Sequence, residues 1–222
     1  MSSVKVWDLA IRVFHWAIVI CVAGAWITME NRWILAHEIF GYTLLSLVLF
    51  RLLWGIVGST TARFSHFMTS PNKALSYLKG SLQAKAPVNA KDDYHSGHNP
   101  AGAWMVVLLL SLLLLQTITG LYSNNDLGFS GSLADGVSKD TSDWLTKIHA
   151  LSFNFILAAI WLHLVAVFFY VLVKKENLIK AMLTGKKPKQ QAGQYESLYF
   201  SHPIKALISL LIATVGVLLL VM

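Results

Sequence analysis

The sequence predicts an all-α integral membrane protein with five transmembrane helices, and three observations carry that prediction. Hydrophobic residues fill 55% of the 222 positions and charged residues only 13%, about half the charged share of an ordinary soluble domain. The apolar residues gather into five blocks, each close to the roughly 20 residues that cross a hydrocarbon core of about 30 Å as a helix. Lysine and arginine gather in the segments between alternate blocks, the asymmetry that membrane topology imposes.

The first span runs from about Leu9 to Met29. The second runs from about Trp33 to Val57, where Gly58-Ser59-Thr60 supplies breaker residues. The third begins after Asn99-Pro100, a capping side chain ahead of a proline at the first helical position, and ends near Tyr122. The fourth runs from about Lys147 to Val173, and the fifth from Pro203 to Met222, opening on Ser201-His202-Pro203. Of the two longer connections, 59–98 is basic with a helix expected near Pro71 to Leu82, and 123–146 is rich in Gly, Ser and Asp. No internal repeat is visible, and no soluble second domain has room to fold.

The charges set the orientation. Lys5 and Arg12 lie at the N-terminal end; Arg63, Lys73, Lys79, Lys85 and Lys91 lie between the second and third spans; Lys174, Lys175, Lys180, Lys186, Lys187 and Lys189 lie between the fourth and fifth. All fall on one side. The other side has Arg32, with Lys139 and Lys147 diluted by Asp126, Asp135, Asp140 and Asp143. The expectation is an N-terminus in the cytoplasm and a C-terminus outside, which in a bacterium is the periplasm. Ala23-Gly24-Ala25 resembles a signal-peptide cleavage site, but Arg12, His15 and Trp16 interrupt the apolar stretch before it, so the segment reads as an uncleaved span.

Several classes drop out. The net charge of +7 follows topology and does not point to nucleic acid. The single cysteine, Cys21, makes no intrachain disulfide, four-cysteine iron–sulfur site or zinc ribbon, and reads as a small core residue. The covalent c-type haem signature Cys-x-x-Cys-His is absent, as are the Rossmann, P-loop and nucleophile motifs.

Four of eight histidines lie in the spans or at their edges: His15, His37, His149 and His163. Ionisable residues in a span are costly and mark function, although a lone histidine there is often a helix–helix contact. His149 and His163 are 14 residues apart on the fourth span, which turns them within roughly 40° of each other and separates them by about 21 Å. That is too far for one metal and suits two sites near opposite faces of one bilayer. Topology supplies partners: His15 with His163 on the cytoplasmic side, His37 with His149 on the outer side. Two imidazoles on facing helices suit axial ligation of haem iron. A di-metal carboxylate site needs inward Glu-x-x-His pairs, and zinc needs three or four clustered ligands; the sequence offers neither.

Arg12 shares a face with His15 and has two readings beyond snorkelling: pairing with Asp8, or reaching a haem propionate bidentately. Arg51, one turn from the cytoplasmic end of its span, invites the propionate and snorkelling readings. Trp7, Trp16, Trp54, Trp104 and Trp144 read mostly as interfacial belt. His66, His95, His98 and His202 read as solvated or capping residues, and Glu38 as a solvated carboxylate at a helix start, with proton acceptance near the outer haem as its functional alternative.

At these residues the chain resembles the bacterial di-haem cytochrome b superfamily, which includes cytochrome b-561 and the b-type subunit of nickel–iron hydrogenases. The resemblance rests on Val6-Trp7-Asp8-Leu9-Ala10-Ile11-Arg12-Val13-Phe14-His15-Trp16, on His37-Glu38-x-x-Gly41-Tyr42, on Arg51-x-x-Trp54-Gly55, and on Ala62-Arg63-Phe64. Gly97-His98-Asn99-Pro100-x-Gly102 and His149-Ala150-Leu151-Ser152-Phe153-Asn154 followed by His163 complete it. It implies a four-helix transmembrane haem bundle over residues 1–175, with His15, His37, His149 and His163 as axial ligands of two haems b. A basic cytoplasmic segment, 176–202, and an additional C-terminal helix, 203–222, then lie outside that bundle. It also implies quinone chemistry: electrons pass between the quinone pool and a partner, such as a periplasmic c-type cytochrome, at the bacterial inner membrane. Rival readings are an electron conduit and anchor for a hydrogenase-like enzyme, superoxide oxidation at the outer haem, and a haem or ligand transport or sensing protein. The fifth helix is a candidate docking element for another subunit.

Overall fold

The computed structural model of the protein describes residues 3–82, 97–125, 129–188 and 198–222. Five helices are long and apolar enough to cross a membrane: α1 (Leu9–Glu30), α2 (Ile34–Val57), α5 (Pro100–Leu121), α6 (Lys139–Leu172) and α8 (Pro203–Val221). Shorter helices α3 (Phe64–Phe67) and α4 (Pro71–Leu82) follow α2, and α7 (Leu178–Thr184) follows α6. Large apolar side chains stand exposed along every spanning helix, for example Ile20, Leu35, Leu108, Trp161 and Leu219. Helices apolar around most of their circumference belong in lipid, so the chain is a multi-pass helical membrane protein.

The helix starts follow the capping chemistry of the sequence. Asn99 Oδ1 accepts the Gly102 N–H at 2.7 Å, and His202 Nδ1 accepts the Ile204 N–H at 3.3 Å. Asp8 caps α1 through Oδ1, which accepts the Ile11 N–H at 2.7 Å. The fourth span is a correction. Its helix begins at Lys139, two turns before the apolar stretch that opens at Lys147. Ser138 Oγ accepts the Thr141 N–H at 3.3 Å, and Lys139 pairs with Asp143 one turn on at 2.8 Å. Capping and i,i+4 charge pairing extend a helix through polar residues, which an apolar window does not register.

The backbone forms two compact units. The first comprises Met1–Arg12, Leu53–Leu108 and Trp161–Ala206. Here β1 (Ser3–Lys5) pairs antiparallel with β2 (Lys186–Pro188). Gly185, with φ +77°, closes α7 and approaches Trp7 so closely that a Cβ would stand 2.8 Å from the Trp7 carbonyl oxygen, so the position takes glycine. Thr61 donates to the Val6 carbonyl at 2.7 Å, and Ser59 Oγ accepts the Ser201 N–H at 3.0 Å. Lys187 reaches the Gly97 carbonyl at 3.3 Å. The N-terminal segment and the segments flanking α3, α5, α7 and α8 therefore meet in one polar unit. Tyr77 of α4 and Tyr170 of α6 share a hydroxyl hydrogen bond of 2.6 Å; burial and this contact hold the Tyr77 phenol well above its ordinary pKa.

The second unit comprises Val13–Leu52, Leu109–Ile160 and Leu207–Met222. Three apolar clusters hold it: Cys21 with Leu44 and Leu47, Leu45 with Leu121 and Val217, and Val48 with Leu113 and Ile156. Cys21 is the core residue the sequence suggests. Helix α8 buries Ser209, Ala213 and Val217, one stripe at four-residue spacing, and Val217 packs on α2 and α5. Asn124 ties the end of α5 to the start of α6, donating to Ser142 Oγ at 2.7 Å and Asp143 Oδ1 at 2.8 Å. Among the described residues, the lysines and arginines of this unit are Arg32, Arg51, Lys139 and Lys147.

Two aromatic expectations need correcting. Trp16, Trp104 and Trp144 are exposed as belt residues should be, whereas Trp7 and Trp54 are buried. Trp54 is 1% exposed and donates to Asp8 Oδ2 at 3.0 Å. His98 is packed between the Trp7 and Phe67 rings, with centroids 4.6 and 4.5 Å away, so it is not a solvated loop residue. His95, Lys85, Lys91, Lys189 and Asp126 lie outside the described residues.

Candidate functional site

Helices α2 and α6 bring His37 and His149 together, with ring centroids 6.3 Å apart and ring planes at 84°. His37 stands one turn into α2, just after the tight Asn31–Trp33 turn that Arg32 makes with φ +58°. Its Nδ1 lies 2.8 Å from the Ala25 carbonyl of α1. His149 lies on the inner stripe of α6, in line with the buried residues Ser152, Ile156 and Ala159. Its Nδ1 lies 2.9 Å from the Gln116 carbonyl of α5 and 3.4 Å from Thr119 Oγ1. A carbonyl oxygen only accepts, so in each histidine Nδ1 carries the proton and Nε2 keeps its lone pair.

Neither Gln116 nor Ser152 carries a side-chain role in the sequence reading, yet both stand beside His149. Gln116 Nε2 lies 3.1 Å from His149 Nε2. The Ser152 hydroxyl donates to Gln116 Oε1 in a short hydrogen bond. Gly120 faces the imidazole: a Cβ there would lie 2.9 Å from His149 Cε1. Gly41, one turn beyond His37, is the opposite case, since a Cβ there meets nothing within 4 Å. The signal that marks Gln116 and Ser152 is their polarity inside apolar spans, which is costly for uncharged groups too.

His15 sits in the second turn of α1, half-buried, with its ring edge-on to Trp16 at 5.1 Å. His163 is half-buried, and its neighbours Trp161, Leu162, Leu164 and Val165 are exposed, so it continues the inner stripe of α6. The two belong to different compact units. Arg12 donates from NH1 to the Leu183 carbonyl, and its Nε is buried with no hydrogen-bond partner among the described residues. Asp8 is engaged by the Ile11 N–H and the Trp54 indole. Arg51 is only 3% exposed, so it is a buried residue and not one that snorkels to the interface. Glu38 is half-buried and accepts the Tyr42 hydroxyl in a short hydrogen bond, which replaces the solvated carboxylate expected at that helix start.

The family model of prokaryotic cytochrome b561 matches residues 6–185, from the strand-to-helix lead of α1 through the end of α7. The chain belongs to the prokaryotic cytochrome b561 family. It is a membrane b-type cytochrome, a haem b protein of electron transfer. Helix α8 lies beyond the matched residues. No curated protein and no solved structure matches the chain.

The His37–His149 pair supplies two neutral imidazoles, the donor type a b-type haem takes, and the Gln116 amide nitrogen 3.1 Å from His149 Nε2 would have to give way to an iron bound there. Two imidazoles on facing helices with ring centroids 6.3 Å apart could hold a haem iron between them. Metal-bound histidines characteristically donate their other ring N–H to a carbonyl or carboxylate, as both Nδ1 atoms can here. Open space at Gly41, on the turn that carries His37, leaves room beside the ring. Among the described residues no three of His, Cys, Asp and Glu cluster as a metal site; a porphyrin needs only the two axial ligands from the chain.

Proposed function

We propose that this cytochrome holds two haems b and passes electrons between the quinone pool and a periplasmic redox partner, such as a c-type cytochrome. In this reading His37 and His149 ligate the outer iron, and His15 and His163 the cytoplasmic-side iron. Arg12 and Arg51 bind propionates; for Arg12, the buried Nε without an acceptor supports that role. Haem supplies one-electron chemistry, which lets a two-electron quinol exchange its electrons singly. The chain's residues fix the rings, lower the local dielectric and exclude water. The polar, lysine-rich first unit belongs on the cytoplasmic side of a bacterial inner membrane, with the N-terminus.

The observation that carries this reading is the His37–His149 pair with both Nδ1 atoms committed to carbonyls. The test is a dithionite-reduced minus oxidised spectrum with pyridine haemochrome quantification. Two haems b per chain are expected, with one lost in H37A or H149A and the other in H15A or H163A. A colourless protein, or loss of both haems in a folded single variant, refutes the pairing. Reduction by a quinol analogue separates electron transfer from transport or sensing, and a co-purifying large subunit identifies the hydrogenase-type alternative.

A further inference from the structure

We propose that α4 lies in the cytoplasmic interface of the membrane and binds an anionic phospholipid, with the lipid's acyl chains against Leu75 and Leu78 and its phosphate at Lys79. The site uses no haem ligand. It shares with the electron-transfer reading only the side of the membrane on which the first unit stands.

Three edges run along α4 in the order that an interfacial helix needs, since successive residues turn by about 100°. The inner edge holds Ala74, 7% exposed, and Tyr77, whose hydroxyl meets that of Tyr170 on α6 at 2.6 Å. Next round the helix come Leu75 and Leu78, 53% and 47% exposed, three residues apart and so on one stripe. Lys79 follows Leu75 by one turn and borders that stripe on the side away from the inner edge, where Asn72 and Ser76 are also exposed. The order is therefore protein contact, apolar strip, then cation and polar groups. An amphipathic helix of this kind lies in the interface plane, with its apolar side among acyl chains and its lysines at the phosphates.

The depth of α4 is fixed at its start. The Trp104 indole, in the second turn of α5, donates to the Thr69 carbonyl at 3.1 Å, two residues before α4 begins. Trp104 is 36% exposed near the end of a spanning helix, the level at which membrane tryptophans settle. From there α4 runs for 12 residues, too few to cross a bilayer.

Charge selects the headgroup. The first unit exposes Lys79, Lys175, Lys180 and Lys186. Among its described residues the acidic side chains are Asp8 and Glu176. Asp8 is buried as the cap of α1, and Glu176 acts on Tyr77, on the inner edge of α4. A zwitterionic lipid offers the apolar strip the same chains but brings no net charge to Lys79, so the lysine discriminates and the strip does not.

The test places a bimane fluorophore beside the site, on Ser76→Cys in a Cys21→Ala background, with the full chain reconstituted in symmetric vesicles. The vesicles mix phosphatidylcholine and phosphatidylglycerol, and one lipid at a time carries bromines on its acyl chains, which quench the fluorophore on contact. Brominated phosphatidylglycerol is expected to quench at a lower mole fraction than brominated phosphatidylcholine. Lys79→Gln should reduce that preference about fivefold, the weight of one lysine at an anionic surface. Lys186→Gln removes the same charge from β2 and should leave the preference in place. Leu78→Ser should weaken quenching by both lipids. No quenching by either lipid, equal quenching by both in the parent, equal changes in K79Q and K186Q, or undiminished quenching in L78S overturns the proposal. Neither a haem nor a defined sidedness enters this readout, so its failure is distinct from failure of the two-haem reading.

Discussion

Two glycines near the paired histidines separate packing from ligand space at single-residue resolution. Gly120 is hemmed in by the His149 ring, whereas Gly41 faces open space on the turn after His37. Replacing Gly41 with Leu has no protein atom to collide with, and it also removes a helix-interior glycine that costs about 0.5–1 kcal/mol relative to alanine. If the two-haem reading holds, the expected outcome of G41L is a folded, monodisperse protein that has lost one haem per chain relative to the wild type. The control is Gly80→Leu on α4, also at a site with nothing within 4 Å, which should keep both haems. Full haem content in G41L would show that the porphyrin does not use that space. The four histidines were legible because an imidazole in an apolar span stands out by its solvation cost. Gln116 and Ser152 were not, because uncharged polar side chains are common in spanning helices and only a neighbouring helix gives them a role.

At the scale of elements, the start of α1 is set by one carboxylate. Asp8 is buried and accepts from both the Ile11 N–H and the Trp54 indole. It caps its own helix and bolts α2 to it. D8A removes a cap, about 1 kcal/mol, together with the acceptor of a buried donor, about 1–3 kcal/mol. A lower thermal unfolding midpoint in detergent is expected, with D8N, which keeps one carbonyl acceptor, falling between D8A and the wild type. Equal midpoints for all three would deny Asp8 this role. The span boundaries of α1, α2, α5 and α8 were readable within a residue or two, since hydrophobic length and capping residues are local. The two extra turns of α6 and the burial of Trp54 were not: the first depends on polar pairing beyond the apolar window, the second on a partner 46 residues away.

At the scale of the whole chain, membrane orientation follows from charge. The segments joined in the first unit carry Lys5, Arg63, Lys174, Lys175, Lys186 and Lys187, and the second unit holds few basic residues. A reporter inserted after Ser70 should be active as a cytoplasmic fluorescent fusion, and one after Gly136 as a periplasmic phosphatase fusion. The reverse pattern would invert the sidedness of the two proposed haem sites. The sequence by itself determined the helical membrane class, the five spans, the histidines and the family resemblance. Each of these depends on composition, period or motif, and so on residues close together along the chain. Only the tertiary structure decided that His37 and His149 face each other, that Gln116 and Ser152 close around one of them, and that α8 packs on α2 and α5. Those are contacts between helices, and the rotation of each helix about its axis is set by packing against its neighbours, which an almost uniformly apolar surface does not encode locally.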